Sequence, residues 1–500
     1  MALEFYNTLT RRREPFTPLQ PDQVKMYCCG VTVYDYCHLG HARSYIVWDT
    51  VRRYLMWRGY DVHYVQNFTD IDDKILNRAK QENSTMEEVS NRFIDAYFED
   101  LRRLNVLDAV EYPRATEHID AILKLINTLI EADYAYPAGG DVYYRVQRFP
   151  SYGKLSGRQL DQMQAGASGR VDPEDPEGNR KQYPFDFALW KAAKPGEPSW
   201  DSPWGAGRPG WHIECSAMIR ANLGETIDIH TGGGDLVFPH HENEIAQSEA
   251  VTHKSLANYW LHNGMVNVGG EKMSKSLGNF TTIRQLLDAP NGPDPMALRL
   301  FVLQAHYRKP IDFTAESIAS AQNSWETLKE GLLFGYRFGE LLGWTDTTDS
   351  AFGKAESMRI PADSDCSDQR SGAVQRFQEA MDEDINSPGA LAVLFELAKD
   401  LRREGNIITH EGKTTTDAQA LRQQWQTLVV LAQVLGLEAE PEAESNDGLS
   451  DDVIANLIAQ RRNAKTAKDF ATADRIREEL KAQGIVLVDK PGGVTEWHRG

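Results

Sequence analysis

Residues 24–34, Val24-Lys25-Met26-Tyr27-Cys28-Cys29-Gly30-Val31-Thr32-Val33-Tyr34, are rich in β-branched and aromatic side chains and read as a strand. From 41 to 58 the apolar side chains recur at helical spacing through Tyr45, Trp48, Val51 and Leu55. A second strand-like run, 62–68, follows Gly59. Strand, helix and strand within about fifty residues predict a βαβ unit, and so a parallel sheet with a right-handed crossover. The expected fold class is α/β, with a doubly wound parallel, Rossmann-like sheet.

Moving outward, the pattern loosens between 114 and 205, where Pro137, Gly139 and Gly140 precede a turn-rich stretch at 166–183. This reads as an insertion between a first half of the sheet domain, 1–113, and a second half, 206–265. The sheet pattern resumes at 226–230 and runs into Gly232, Gly233 and Gly234; residues 240–249 then read as a helix. A strand running into a glycine turn and a helix is a ligand-site geometry. Beyond a region at 266–315 the periodicity becomes purely helical, which predicts a helical bundle over 316–437. An acidic, solvated linker over 438–452 leads to a small C-terminal α/β domain, 453–500, expected to hold one helix of about thirty residues and a strand at 485–488.

The composition excludes several classes. With 500 residues, 41% hydrophobic and 25% charged, the chain is long enough for several cored domains. No stretch approaches the roughly 20 apolar residues of a membrane span, so no membrane partner and a cytoplasmic location are expected. Five cysteines, Cys28, Cys29, Cys37, Cys215 and Cys366, are too sparse and too odd in number for a disulfide framework. The formal charge of −19 alone argues against a nucleic-acid partner. Residues 461–500 oppose it: nine Lys or Arg against six Asp or Glu give +3.

Cys29, Cys215, His240 and Glu244 are soft and borderline donors of the kind zinc prefers. His240 and Glu244, four apart, share a helix face; the two cysteines are each expected to border a strand or turn at the carboxyl edge of the sheet. The alternative is a Cys215 that is a small buried hydrophobe and a His240 that is a capped helix residue. A coordinated thiol is deprotonated outright, whereas a hydroxyl resists ionisation. A zinc position open to substrate would therefore separate cysteine from serine in a single step.

Cys37-His38-Leu39-Gly40-His41 lies where the strand gives way to the long helix. Gly40 admits close backbone approach, and a helix N-terminus favours phosphate. His38 and His41 can donate to phosphate oxygens as charge builds on them; taken alone, they could equally be surface histidines. Their partner is Lys272-Met273-Ser274-Lys275-Ser276, in a loop flanked by Gly269, Gly270 and Gly278. Lys272 and Lys275 can close over a triphosphate and stabilise an in-line displacement of pyrophosphate. The two motifs, in this order and on this architecture, disfavour a basic loop without a role.

At these residues the chain resembles the class I aminoacyl-tRNA synthetases, whose signatures are written HIGH and KMSKS, and within them the cysteine-specific branch. The similarity runs from Phe5-Tyr6-Asn7-Thr8-Leu9 to Trp497. It is carried most specifically by 26–30, Phe68-Thr69-Asp70-Ile71-Asp72-Asp73-Lys74, Gly210-Trp211-His212-Ile213-Glu214-Cys215-Ser216 and Phe238-Pro239-His240-His241-Glu242-Asn243-Glu244. The resemblance implies zinc on Cys29, Cys215, His240 and Glu244, with Cys28 structural. It implies ATP with Mg²⁺ at His38, Gly40, His41 and Lys275, and a cysteine pocket at Gly30, Thr69, Trp211, His230 and Asp235. It also implies a KMSKS and stem-contact region at 266–315, an anticodon-binding domain at 453–500 with Trp497 stacking on a base, and action as a monomer. Leu39 departs from the signature's isoleucine, a change of similar volume.

The expected activity is adenylation of L-cysteine by ATP followed by transfer to the 3′ end of tRNA(Cys). One rival is a cysteine ligase that hands the same adenylate to an amino sugar; such relatives lack the last domain, and the basic tail favours tRNA. A non-catalytic RNA-binding paralogue is disfavoured by the intact histidine and lysine motifs.

Overall fold

The computed structural model describes residues 2–160, 180–273, 279–344, 368–441, 451–490 and 494–499. Four strands form the central sheet: β1 Gln23–Cys28, β2 Asp61–Gln66, β3 Ile227–Gly233 and β4 Ala257–Asn263, in the order β4-β3-β1-β2 and all parallel. Met26 stands between Tyr64 of β2 and Ile229 of β3, and Ile229 faces Tyr259 of β4. Helices cover both faces of such a sheet, which is why β3 is buried over six consecutive residues and its sequence does not alternate. The long helix α1, Leu39–Trp57, joins β1 to β2. Strand order reverses between β1 and β3, so their carboxyl ends open the crevice in which a doubly wound sheet takes its ligand.

Two further helices border that crevice, α2 (Trp211–Asn222) and α3 (Glu242–Thr252). The region read as a loose insertion contributes three strands to a second, antiparallel sheet, Ala135–Ala138, Asp141–Tyr144 and Phe187–Ala192, and the fourth strand, Gly207–Pro209, lies just beyond its expected end. Strands of three to six residues are too short to leave a clear period in sequence. Part of the turn-rich stretch, 161–179, lies outside the described residues.

By compactness the chain divides into two units. The first comprises Met1–Leu328, Ser350–Glu396 and Thr427–Glu438. In it Arg299, wholly buried, reaches Asp49 of α1 and the carbonyls of Leu435, Leu104 and Asn105. The second comprises Lys329–Asp349, Leu397–Gln426 and Ala439–Gly500. Its helical part is centred on Trp425, whose indole Nε1 donates to the Leu332 carbonyl at 2.7 Å and whose ring stacks on Trp344. The expected helices after 315 are Ala315–Leu332, Phe334–Phe338, Asp368–Asp382, Ser387–Glu411 and Ala418–Val434.

The C-terminal residues form two helices, Asp451–Thr466 and Phe470–Ala482, and a hairpin of Ile485–Lys490 with Val494–Arg499. Ile454, Ile476, Leu480, Ile485 and Leu487 make its core. This corrects the expectation of one helix of about thirty residues. The chain turns at Lys468, which takes a left-handed φ of 60°, and Asp469 restarts the helix by accepting from the Thr472 amide at 3.1 Å. A second strand pairs with the expected one; its alternation, Val494-Thr495-Glu496-Trp497-His498-Arg499, is too polar to announce itself. Among the described residues no helix is long and apolar enough to cross a membrane.

Candidate active site and metal centre

Cys29 follows the last residue of β1, as expected. Cys215 does not border a strand or turn: it lies buried in the second turn of α2, and that placement corrects the sequence reading. His240 likewise sits outside the regular helix, in an irregular segment Val237–His241 that is extended at Phe238 and leads into α3. The segment still brings its ring to Glu244, with Nε2 and Oε1 3.0 Å apart.

The four donors meet. Cys29 Sγ is 3.8 Å from Cys215 Sγ and 3.3 Å from Glu244 Oε1. Each of Cys29, Cys215, His240 and Glu244 offers one atom, these atoms lie within 4.8 Å of one another, and all four residues are buried. Two thiolates bound tetrahedrally at about 2.3 Å stand about 3.8 Å apart, whereas a disulfide needs about 2.05 Å. The sulfurs are therefore too far apart for a disulfide and stand at a spacing that a shared metal ion would suit. A second quartet, Cys29, His230, His241 and Glu244, shares two members with the first.

Further side chains orient the donors, and sequence reading assigned most of them no role. His212 Nδ1 lies 2.9 Å from His240 Nδ1, so the far nitrogen of the donor ring is engaged. His230 Nε2 holds Glu244 Oε2 at 2.9 Å. His241 reaches Cys29 Sγ at 3.4 Å and His262 at 2.8 Å, and His262 contacts Thr8 Oγ1 at 2.8 Å. Burial, with the charge of His230 adding to it, holds His241 and His262 neutral; His262 falls to about 3. His212 and His241 stand inside quoted motifs, and that placement is the only signal the sequence offered.

Electrostatics separate the two sulfurs. Burial and the neighbouring Cys215 push the Cys29 thiol well above its ordinary value. The hydrogen bond from Cys29, helped by His240, overcomes burial to bring Cys215 down to about 6. For Glu244 burial works against the charge, but His230 and His240 outweigh it and keep the carboxylate ionised. Cys28 is buried and raised to about 12, as befits a packing residue.

Around this centre the expected pocket residues stand as follows. Gly30 donates its amide to Asn67 Oδ1 at 2.9 Å, and a Cβ there would lie 1.5 Å from the Asn67 carbonyl oxygen, so only glycine fits. Thr69 Oγ1 donates to Glu214 Oε2 at 2.9 Å. Trp211 stacks on His240 with centroids 4.0 Å apart, and His230 stacks on Trp260 at 4.4 Å. His230 Nδ1 has no hydrogen-bond partner among the described residues. Asp235 is exposed, and its Oδ1 folds back over Gly233.

His38 is the N-cap of α1. Its Nδ1 accepts from the amides of Gly40 at 3.0 Å and His41 at 3.3 Å, while His41 Nδ1 accepts from the His38 amide. A ring accepting at Nδ1 carries its proton on Nε2 when neutral, where it can donate outward. The two rings stack 3.6 Å apart, and a Cβ on Gly40 would fall 2.8 Å from the His38 ring. The hairpin Val266–Val268 with Glu271–Lys272 carries the lysine loop; Lys275 lies outside the described residues. Trp497 pairs with Leu487 and packs, partly buried, on the C-terminal core.

Residues 15–323 match the tRNA synthetases class I (C) catalytic domain, and residues 376–440 match the DALR domain. A cysteine–tRNA ligase of Trichormus variabilis is 67% identical over 506 residues, covering 100% of both chains. The chain belongs to the cysteine–tRNA ligase family. Within it, a further ligase from Gloeothece citriformis is 64% identical over 502 residues, again with 100% of each covered. The class I fold extends to a solved Mycobacterium tuberculosis methionyl-tRNA synthetase, similar with a TM-score of 0.55 at 15% identity over 83% of this chain and 89% of that one.

Proposed function

We propose that Cys29, Cys215, His240 and Glu244 hold one Zn²⁺ and that this centre selects cysteine by its sulfur. The activity itself is that of a cysteine–tRNA ligase, an aminoacyl-tRNA synthetase that joins L-cysteine to tRNA(Cys) and uses ATP with Mg²⁺. The observation that supports zinc is the spacing of two sulfurs, one imidazole and one carboxylate around a common point. The quartet with two cysteines is preferred over the one with two histidines because thiolates suit zinc best. Bound there, zinc supplies a soft Lewis-acid position at which a thiol loses its proton.

The chain's own residues supply the remainder. Gly30, Thr69, Trp211 and His230 shape the pocket, with Asp235 at its exposed rim taking the amino group or ribose. His38 and His41 donate to ATP phosphates from the start of α1, where Gly40 leaves room. Lys272 and Lys275 close over the triphosphate as pyrophosphate leaves, the cysteine carboxylate having attacked the α-phosphate. A terminal ribose hydroxyl of the tRNA then attacks the acyl carbon and gives up its proton, the acyl–phosphate bond breaks, and AMP leaves. The helical region and the basic C-terminal residues reach the anticodon, with the free edge of Trp497 against a base. The chain acts as a monomer in the cytoplasm.

The test pairs metal analysis with ATP–pyrophosphate exchange. The expected result is about one zinc per chain and an exchange rate with cysteine at least about 10⁴-fold above that with serine. A metal-free chain that still selects cysteine, or an equal response to serine, would overturn the reading.

A further inference from the structure

The insertion meets α3 on the side away from the metal donors. Glu242 is two residues from Glu244, about 200° round the helix, so one faces the centre when the other faces outward. There Glu242 is fully buried, and among the described residues it forms no salt bridge. Instead its Oε1 accepts from the amides of Gly153 at 2.9 Å and Leu155 at 3.4 Å, and its Oε2 accepts from the Ser156 amide at 2.8 Å. Burying a carboxylate is costly unless hydrogen bonds replace its water, and three backbone donors do so here. The turn needs glycine: Gly153 has φ +95°, and a Cβ there would stand 1.9 Å from the Arg158 carbonyl oxygen.

The joint continues along the helix. Tyr152 donates its hydroxyl to Asn243 Oδ1, Tyr144 donates to the Ala246 carbonyl at 2.9 Å, and Lys154 pairs with Glu249. Meanwhile the start of α3 is weak by itself, because it follows an irregular segment, extended at Phe238, with no side-chain cap. From these contacts we infer that the turn at 152–157 is a splint on the helix that carries Glu244 and follows His240, with Glu242 its positioning residue for the zinc donors. This rests on the zinc reading above.

The experiment follows zinc leaving the full-length, zinc-loaded chain for a chromophoric chelator, with far-ultraviolet circular dichroism recorded on the same samples. Glu242→Gln keeps the volume but turns an amide hydrogen toward backbone donors. It is expected to release zinc about tenfold faster from a folded chain, raising KM for cysteine and leaving KM for ATP unchanged. Tyr152→Phe removes one hydrogen bond and is expected to release zinc about threefold faster; it decides the matter if Glu242→Gln does not fold. Release within about twofold of the parent from folded variants would overturn the splint, since a purely structural role lowers the thermal midpoint without loosening the metal. A parent chain that carries no zinc would overturn the metal reading and the splint together.

Discussion

In the metal-free chain the surroundings drive Cys215 and His240 toward opposite charge. Burial opposes an imidazolium at His240, but the charge of Glu244 and the bond to Cys215 win and hold it up to about 9, while Cys215 sits near 6. The raised histidine stabilises the metal-free fold at acid and neutral pH and loses that contribution as pH rises through about 9. The lowered cysteine contributes at alkaline pH and loses it as pH falls through about 6. For this pair the two slopes cancel between about 6.5 and 9, where folded and unfolded chains hold the same number of protons, so the thermal midpoint of the stripped chain should be flat across that window, which a series of thermal scans measures. Near neutral pH zinc should expel about two protons, one from Cys29 and one from His240, as a pH indicator in weak buffer would report; three would mean that Cys215 is a thiol. Cys215→Ser should abolish both metal content and cysteine-dependent exchange, and retained zinc would point to the quartet built on His230 and His241. The donor types were legible in sequence because few residues suit zinc. The histidines that orient them were not, because His262 meets Thr8 across 254 positions and nothing local marks such a pairing.

His38 caps α1, and on the proposed reading it is also a donor to ATP. His38→Asn keeps a good N-cap, so the thermal midpoint should move by no more than about 1 kcal/mol equivalent, while pyrophosphate exchange falls by about 100-fold or more for want of the imidazole. Equal losses in stability and exchange would show that capping is the whole of its role. Strands β1 to β3 and helix α1 could be foreseen from their apolar runs and helical spacing, whereas the sequence reading does not single out β4. The irregular segment before α3 could not be foreseen, since Val237-Phe238-Pro239-His240-His241 carries no distinctive period. The break at Lys468 was partly visible as an Asp followed by a fresh helical turn, yet unbroken helical composition on either side concealed it.

Over the whole chain, catalysis and tRNA reading should separate. The C-terminal residues have a core of their own, so deleting 450–500 is expected to spare cysteine-dependent exchange while tRNA charging collapses; undiminished charging would remove that segment from the account. Arg299 ties α1 to residues near both 104 and 435, and replacing it by Met leaves the buried Asp49 with Arg53 and the Leu107 amide. About 3 kcal/mol of stability should be lost, visible as a lower urea midpoint. Of the short strands at 135–209, Asp141–Tyr144 and Phe187–Ala192 pair across a long stretch of chain, which no local pattern announces. Finally, the two possible donor quartets have Cys29 and Glu244 in common, so filling one dismantles the other. A calorimetric titration should show a single sharp break at one equivalent, and surplus zinc should find no second berth in the crevice.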